Sequence, residues 1–271
     1  MKEIELTLFW VTVFGYVTVF VLQLFQYMNR NRAVKLYHHR LLQGVFLFHT
    51  LVLILHWIET GHPPTTNRFE IDISGAWFLM LTFLVFVKLK RVEKSIGLAV
   101  IPFTFLLLGY AYSSGPDFSP MRPAFVSPWI VVHVIFAWIA FSSYAIATGA
   151  AIFYILKSRY PDGERMKRLP LLSALDDTGY RYIAFGFINH AIMLIAGSIW
   201  AKKLWGRYWS WDPLDTWNLI AFLIYAFILH ARSFLKWKDM KGAWLNLIGF
   251  IVMIISYWGV SIFVPTAHPG I

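Results

Sequence analysis

Eight apolar segments, each about long enough to cross a lipid bilayer, constrain the fold of this chain more than any other feature. A hydrocarbon core of about 30 Å needs about 20 helical residues. Backbone polar groups there must bond within the chain, so continuous apolar runs cross as helices. With 58% hydrophobic and 14% charged residues, the composition is typical of a polytopic membrane protein. The sequence predicts an all-α membrane helix bundle with spans at about 5–28, 41–58, 73–89, 96–113, 129–156, 180–201, 213–235 and 243–264.

The basic residues alternate between successive connections. Of the 24 lysines and arginines, 18 lie around the connections that follow spans one, three, five and seven. The positive-inside rule therefore predicts both termini on the outer side of the membrane. The net charge of +10 follows this topology and requires no nucleic-acid partner. The basic residues on the outer side are then Lys2, Arg68, Arg122, Lys202, Lys203 and Arg207.

The organisation of the chain is simple. The first apolar run is too long for a signal peptide and lacks a basic leader, so it is predicted to be a permanent span. No internal repeat is visible and no loop is long enough for a soluble domain, which predicts a single domain over residues 1–271. The absence of cysteine excludes disulfides, thiolate metal sites and a thiol relay of the protein's own. Histidine is the main candidate metal ligand.

The segment Trp205–Trp217, here called the tryptophan loop, is predicted to be outside between spans six and seven. Tryptophan favours the membrane–water interface, and its flat ring is a platform for another flat apolar body. The loop therefore predicts docking of a planar hydrophobic ligand, with Arg207 available to neutralise acidic groups. Asp212 and Pro213 predict a helix start, with Asp215 in its first turn. Four tryptophans lie in these thirteen residues: Trp205, Trp209, Trp211 and Trp217.

Two histidines are predicted on the same outer side as this loop. His133 lies near the start of span five and His268 just past span eight. Two imidazoles and an aromatic surface are what an axially ligated haem needs. Taken singly, His133 is an ordinary interfacial polar residue and His268 a solvated tail residue. Their convergence with the tryptophan loop favours haem, with both histidines as ligands of the iron.

Other histidines fall inside the membrane, where an ionisable side chain indicates a functional site by default. His230 lies in the inner half of span seven and is the stronger candidate for a ligand. His49 of span two, at a comparable depth, is a weaker candidate. The alternative for His230 is a hydrogen bond to a neighbouring helix. A packed hydrogen-bonding pair with Asn189 is the interpretation for His190, and no function is predicted for His56.

The connection over residues 57–70 is rich in glycine and proline, which indicates a defined turn. Glu59, His62 and Glu70 are expected to face the outside. A contact with a partner and a plain connector are equally compatible with this pattern. No nucleophile–base constellation, phosphate-binding glycine loop or metalloprotease spacing accompanies these residues.

The stretch WAKKLWGRYWSWDPLDTWNLIAFLIYAFILHAR over residues 200–232 resembles the WWD signature of the CcsA/ResC family of cytochrome c biogenesis proteins, called System II. The wider haem-handling group includes CcmC and CcmF. Further matches are the ETGHPP…N..E loop, the SPW…HV opening of span five, LP…LD..GYR before span six and YWGV in span eight. The chain departs from the motif at Asp215, Leu214 and Phe222, and in the TAHPGI tail that contains His268.

The resemblance implies a protein that carries haem b across the membrane and presents it outside to the CxxCH cysteines of apocytochrome c, together with a ResB/Ccs-type partner. On this pattern His133 and His268 ligate haem outside, and His230 holds it during passage. Trp205, Trp209, Trp211, Asp212 and Trp217 belong to the segment that holds the porphyrin. A thioredoxin-like reductant would keep the acceptor thiols reduced. The location implied is the bacterial cytoplasmic membrane or the thylakoid membrane.

The sequence leaves two alternatives open. The chain is either a subunit of a haem lyase or a haem-binding chaperone or regulator without ligation activity. In a different class, it is a small-molecule transporter whose aromatic loop is only an interfacial belt. The lack of paired broken helices in matching halves disfavours transport.

Overall fold

The computed structural model describes residues 2–29, 32–121 and 123–263. Within these residues, eight helices are long and apolar enough to cross a membrane. The described residues are helical apart from turns and connections, so the prediction of an all-α membrane bundle with eight spans is confirmed. The helices gather into two compact units, residues 1–125 and 126–271, each described here by itself. The outward orientation of the termini and the single haem-handling domain stay predictions.

Unit 1 contains four helices that pack in sequence order around a common core. Neighbouring helices run in opposite directions, and α1 also packs against α4. The buried residues of α1 recur every three or four positions, at Phe9, Thr12, Tyr16 and Val19, which turns one stripe of the helix towards its neighbours. The helices are α1 (Lys2–Asn29), α2 (Arg32–Thr60), α3 (Arg68–Lys88) and α4 (Gly97–Ser113).

Unit 2 also contains four long helices, and its core is the α5/α6 pair. Small residues and hydroxyls line this pair, among them Gly186, Ser142 and Ser143, and they let the two backbones approach closely. The stacked rings of Tyr144 and Tyr225, with centroids 3.5 Å apart, join α5 to α7. The helices are α5 (Pro128–Arg159), α6 (Leu172–Trp205), α7 (Pro213–Ser233) and α8 (Asp239–Ile254).

Two spans differ in detail from the sequence prediction. Helix α6 begins at Leu172, eight residues before the predicted start, because Leu175 and Gly179 continue the buried stripe beyond the apolar span. Helix α8 passes through one π-helical turn, Ile255–Gly259, into the short helix α9 (Val260–Phe263). Single π-helical turns inside helices are frequent at functional sites, and this one lies at the same end of unit 2 as the tryptophan loop.

Replacing Gly186 by alanine is expected to destabilise unit 2 by about 1–3 kcal/mol, the usual cost of overpacking a close-packed core. A Cβ atom there would lie 2.7 Å from Tyr144 Cε1 and 3.2 Å from the Ala140 carbonyl oxygen. Reversible unfolding in mixed micelles measures the loss. Gly44→Ala in α2 is the control, since its Cβ would meet nothing within 4 Å. Equal stability of the two variants would contradict the prediction.

Candidate functional site

One end of unit 2 collects several of the residues that the sequence singled out. Helix α5 begins there at Pro128, α6 ends there at Trp205 and α7 begins there at Pro213. The described chain also ends there, at Phe263, because α8 runs antiparallel to α7. His268 lies outside the described residues, so its place at this end stays a prediction.

His133 is half-buried between α5 and α6. Its Nδ1 atom lies 3.0 Å from the carbonyl oxygen of Met193. A carbonyl oxygen only accepts, so Nδ1 carries the proton and donates it. When the ring is neutral, a proton on Nδ1 leaves the lone pair on Nε2, which is the form of imidazole that binds a metal. The hydrogen bond to α6 also fixes the orientation of the ring, as a metal-ligating histidine requires.

A glycine on α6 makes the room for this ring. A Cβ atom on Gly197 would lie 2.7 Å from His133 Nδ1 and 3.0 Å from Cε1, closer than real contacts allow. Gly197 is one helical turn beyond Met193, so the two residues lie on the same face of α6. The absence of a side chain at residue 197 is therefore part of the local geometry that holds His133.

The tryptophan loop begins where glycine stops α6. Gly206 adopts φ +75°, a left-handed conformation that favours glycine, and its N–H donates to the Lys202 carbonyl. The Lys202 ammonium returns to the Gly206 carbonyl oxygen at 2.6 Å and lies over the Tyr208 ring. Two edge-to-face tryptophan pairs flank this glycine. Trp200 packs against Trp205 at the end of α6, and Trp209 packs against Trp211 within the loop.

The loop presents one indole in an unusual backbone conformation. Trp211 has φ +57°, a region that a bulky residue rarely adopts and that costs about 1–3 kcal/mol. Its side chain is 71% exposed, although tryptophan normally buries its large apolar ring. Strained residues of this kind cluster at ligand-binding sites. The exposed ring therefore makes this surface of the loop a candidate docking surface for a flat apolar ligand.

The predicted start of α7 is confirmed. Asp212 is the N-cap residue, and its Oδ1 accepts a hydrogen bond from the Leu214 N–H at 3.1 Å, with Pro213 at the first helical position. Asp215 lies in the first turn. The next turn is tied to the end of α8, because Ser256 of the π-helical turn donates to the Asn218 side chain. Trp217, half-buried beside Asn218 in this second turn, is thus held on a fixed scaffold.

His230 lies on α7, about 25 Å along the helix from the tryptophan loop. Its side chain is exposed on the surface of unit 2 and stacks on Phe234, with ring centroids 4.6 Å apart. Leu223 and Phe227 share this exposed face. The alternative of a hydrogen bond to a neighbouring helix receives no support from the described contacts of this side chain.

His49 is a structural residue in unit 1. Its Nδ1 lies 3.2 Å from the Tyr16 hydroxyl and its Nε2 3.1 Å from the Ile73 carbonyl oxygen. Both ring nitrogens are therefore engaged, in a fully buried tie between α1, α2 and α3. The suggestion that His49 is a metal ligand is not supported by this geometry.

The predicted pairing of His190 with Asn189 is wrong. Asn189 Nδ2 donates to the Phe185 carbonyl of its own helix, whereas His190 Nδ1 lies 3.4 Å from the Tyr144 hydroxyl of α5. Adjacent residues on a helix point about 100° apart, so they do not face each other. His190 is fully buried in the α5/α6 core.

The prediction that Glu59, His62 and Glu70 face outward, available to a partner, is wrong for two of them, because Glu70 and His62 are buried and Glu59 is half-buried. Glu70 is 0% exposed and His62 4% exposed. The Asn67 side chain caps α3 by accepting from the Glu70 N–H at 2.8 Å, which turns Glu70 inward. An asparagine three residues before a glutamate is a capping pattern that is visible in the sequence. The same packing buries His56, for which no role was predicted.

Comparison with known proteins decides the family. The sequence profile described as "Cytochrome C assembly protein" matches residues 3–268. The chain belongs to the cytochrome c assembly family. Among curated family members, "Cytochrome c biogenesis protein CcsA" of Guillardia theta is 32% identical over 235 residues, which cover 78% of each chain. The CcsA protein of Prochlorococcus marinus is 32% identical over 249 residues, 80% of this chain and 79% of its own.

A solved structure has a fold similar to that of this chain. The structure of "Cytochrome c Heme Lyase CcmF" superposes with a TM-score of 0.64 and covers 96% of this chain at 14% identity. The chain spans about half the length of that protein, 49%. At this identity the likeness concerns the fold alone. The resemblance to CcsA-type proteins of cytochrome c biogenesis is thus confirmed, and the chain is an integral membrane protein of the cytochrome c assembly family.

Proposed function

We propose that this member of the cytochrome c assembly family binds haem b at the tryptophan-loop end of unit 2 and presents it for covalent attachment to apocytochrome c. The observation that carries the proposal is the Nδ1–H···O bond from His133 to Met193. This bond places a ring proton on Nδ1, so that iron would bind at Nε2. It also holds the ring against Gly197. Haem iron needs only axial ligands from the protein, and a held imidazole can supply one.

Each part of the site has a task in this proposal. His133 and His268 would hold the haem iron through ring nitrogens, and the indoles of Trp205, Trp209, Trp211 and Trp217 would hold the porphyrin. Asp212 fixes the angle at which the loop enters α7. Bound haem supplies the iron and the vinyl groups to which the CxxCH cysteines of the acceptor add. The chain has no cysteine, so those thiols belong to the acceptor and are kept reduced by a thioredoxin-like protein.

The exposed position of His230 supports a second haem position within the membrane. A histidine on an apolar helix surface needs a partner to offset its desolvation. Leu223, Phe227 and the stacked Phe234 give this side of α7 an apolar surface that suits a porphyrin edge. We assign the other axial ligand to a membrane helix of a ResB/Ccs-type partner. Haem would pass from this position to the tryptophan loop on the outer side of a bacterial cytoplasmic or thylakoid membrane.

Two measurements test the proposed function. The chain purified after haem-replete expression is expected to show the absorption bands of a bis-histidine b-type haem. Co-expression with a ResB/Ccs-type partner and an apocytochrome c is expected to yield covalently attached haem, and omission of this chain is expected to remove it. A colourless protein would contradict the proposal at its first step. A coloured protein without covalent attachment to the acceptor would instead identify a haem-delivery chaperone.

A further inference from the structure

Three ionisable side chains meet in the interior of unit 1, far along the chain from the tryptophan loop. They come from the start of α1, the end of α2 and the start of α3, which lie at the same end of the unit. His56 lies between two carboxylates, with Nδ1 2.8 Å from Glu5 Oε1 and Nε2 3.1 Å from Glu70 Oε1. Their exposed fractions are 0% for His56 and Glu70 and 1% for Glu5.

Glu70 accepts hydrogen bonds at one carboxylate oxygen and faces His56 with the other. Its Oε2 accepts from both the backbone N–H and the hydroxyl of Thr66, each at 2.8 Å. Its Oε1 faces His56 Nε2. A carboxylate that accepts two or three hydrogen bonds is stabilised in its charged form. The proton between His56 and Glu70 therefore resides on Nε2.

A second proton must lie between His56 and Glu5. With Nε2 protonated, a neutral imidazole would point the lone pair of Nδ1 at Glu5, and two acceptors 2.8 Å apart repel each other. A proton on either Nδ1 or Glu5 Oε1 converts this repulsion into a hydrogen bond. The other oxygen, Glu5 Oε2, is buried and has no hydrogen-bond partner. A buried carboxylate oxygen without a partner is costly, which favours a proton shared with Glu5.

Two basic groups lie beside the three side chains. His62 Nε2 is 3.8 Å from Glu70 Oε1, although its two ring nitrogens also face the carbonyls of Pro63 and Ser119. The Lys2 ammonium lies over the ring of Phe118, which packs against His56. Lys2 lies three positions before Glu5 on α1, but Glu5 Oε2 has no hydrogen-bond partner, so no hydrogen bond from either group takes the place of the proton at Glu5.

The remaining charged groups nearby are directed elsewhere. Arg68 of α3 donates to the Tyr110 hydroxyl of α4 and lies over its ring. Asp72 lies two positions beyond Glu70, so its side chain points about 160° away from that of Glu70 around α3. Tyr112 of α4 packs its ring on Phe9, one turn along α1 from Glu5.

We propose that Glu5, His56 and Glu70 form a proton-binding site that takes up one proton when unit 1 folds, and that loss of this proton at alkaline pH loosens α1 from α2 and α3. In water near neutral pH the separated groups would be two carboxylates and a largely neutral imidazole. The folded cluster holds one proton more. The charge pattern predicts that this end of unit 1 faces outside, so the proton exchanges with the outer medium. The site lies in unit 1, whereas the proposed haem positions lie in unit 2.

The pH dependence of stability follows from this difference of one bound proton between the folded and unfolded states. Above the ordinary pKa of histidine, the unfolded chain has lost the proton that the folded cluster keeps. The folded state then binds more protons, so stability falls as the pH rises, until the cluster itself deprotonates. A difference of one proton changes the unfolding equilibrium constant about tenfold per pH unit.

Glu5→Gln is the decisive variant. The glutamine amide is of similar size and can donate an N–H to His56 Nδ1, so the variant cluster needs no additional proton. We expect the variant to fold and to lose this one-proton dependence, measured by reversible unfolding in mixed micelles from neutral to alkaline pH. Glu3→Gln, an exposed position on the same helix, is expected to keep the wild-type dependence. An identical pH dependence in wild type and Glu5→Gln would overturn the proposal.

A direct measurement covers the case in which Glu5→Gln does not fold. Infrared and nitrogen magnetic resonance spectra of the wild-type protein at neutral pH report on the two places where the proton can reside. We expect either a buried carboxylic acid band that isotope labelling assigns to glutamate or a His56 ring protonated on both nitrogens. A singly protonated His56 ring together with no such acid band would overturn the proposal.

Discussion

Replacing His133 by alanine is expected to abolish the haem absorption of the tryptophan-loop end and the covalent attachment of haem to a co-expressed apocytochrome c. The variant removes one of the two proposed axial ligands and the hydrogen bond that fixes it to Met193. We expect haem binding at this end to weaken by more than about 100-fold, since loss of an outer-shell partner alone costs about 10–100-fold. Haem content per protein and covalent haem on the acceptor measure the effect.

Added imidazole provides the internal control for this variant. The free base can occupy the space of the missing side chain and supply a nitrogen ligand, so it is expected to restore part of the haem absorption. Recovery distinguishes loss of a ligand from general misfolding. If His133→Ala retained full haem content and activity, His133 would not be an axial ligand.

The neighbouring glycine gives a graded version of the same test. Gly197→Ala leaves His133 in the chain but places a Cβ atom 2.7 Å from its Nδ1, so the ring must shift out of its hydrogen bond. We expect haem affinity to fall about 10–100-fold, the range for a disturbed outer-shell contact. Gly109→Ala on α4 is the matched control, because its Cβ would have nothing within 4 Å.

Replacing Asp176 by alanine is expected to destabilise unit 2 by about 3 kcal/mol, the loss typical of breaking a largely buried ion pair by removing one partner. The Arg232 guanidinium makes two hydrogen bonds to this carboxylate, at 2.7 and 2.6 Å. The two side chains are 15% and 12% exposed. Asp176 also accepts the N–H of Asp239 at the start of α8, so one carboxylate joins α6, α7 and α8.

The adjacent aspartate is the control for this change. Asp177 pairs with Arg181 at 2.7 Å, but the side chains are 48% and 63% exposed. Exposed pairs of this kind contribute about 0.3–0.5 kcal/mol, so Asp177→Ala is expected to have little effect. Reversible unfolding in mixed micelles compares the two variants, and equal losses would contradict the prediction. Because Arg232 is two residues from His230, loosening this end of α7 is also expected to lower haem retention at His230.

The eight spans were predictable because hydropathy acts over about 20 residues and no soluble alternative buries such runs. The start of α7 was also predictable, because it depends on neighbouring residues only: Asp212 caps the helix, Pro213 begins it and Asp215 lies in its first turn. The start of α6 was placed too late, because the buried stripe from Leu175 to Tyr182 is less apolar than a membrane span. Its burial depends on packing within unit 2, which hydropathy does not report.

The histidines show more clearly which contacts could not be predicted from the sequence. Sequence position predicted the depth of His49, His56, His190 and His230 in the membrane, but depth does not determine which neighbour a ring meets. His56 was assigned no role, yet it lies between two carboxylates that are 51 and 14 residues away along the chain. Glu70 was expected to face outside, yet the Asn67 cap turns it into the interior of unit 1.

By itself the sequence determined the class of fold, the number of spans, the family and the helix cap of the tryptophan loop, because these depend on hydropathy and on patterns among near neighbours. Only the tertiary structure decided the partners of the buried polar groups. It placed His133 against Met193 and Gly197, tied His49 to Tyr16 and enclosed His56 between Glu5 and Glu70. A buried donor or acceptor must find a partner wherever the packing brings one, and that partner comes from a distant helix.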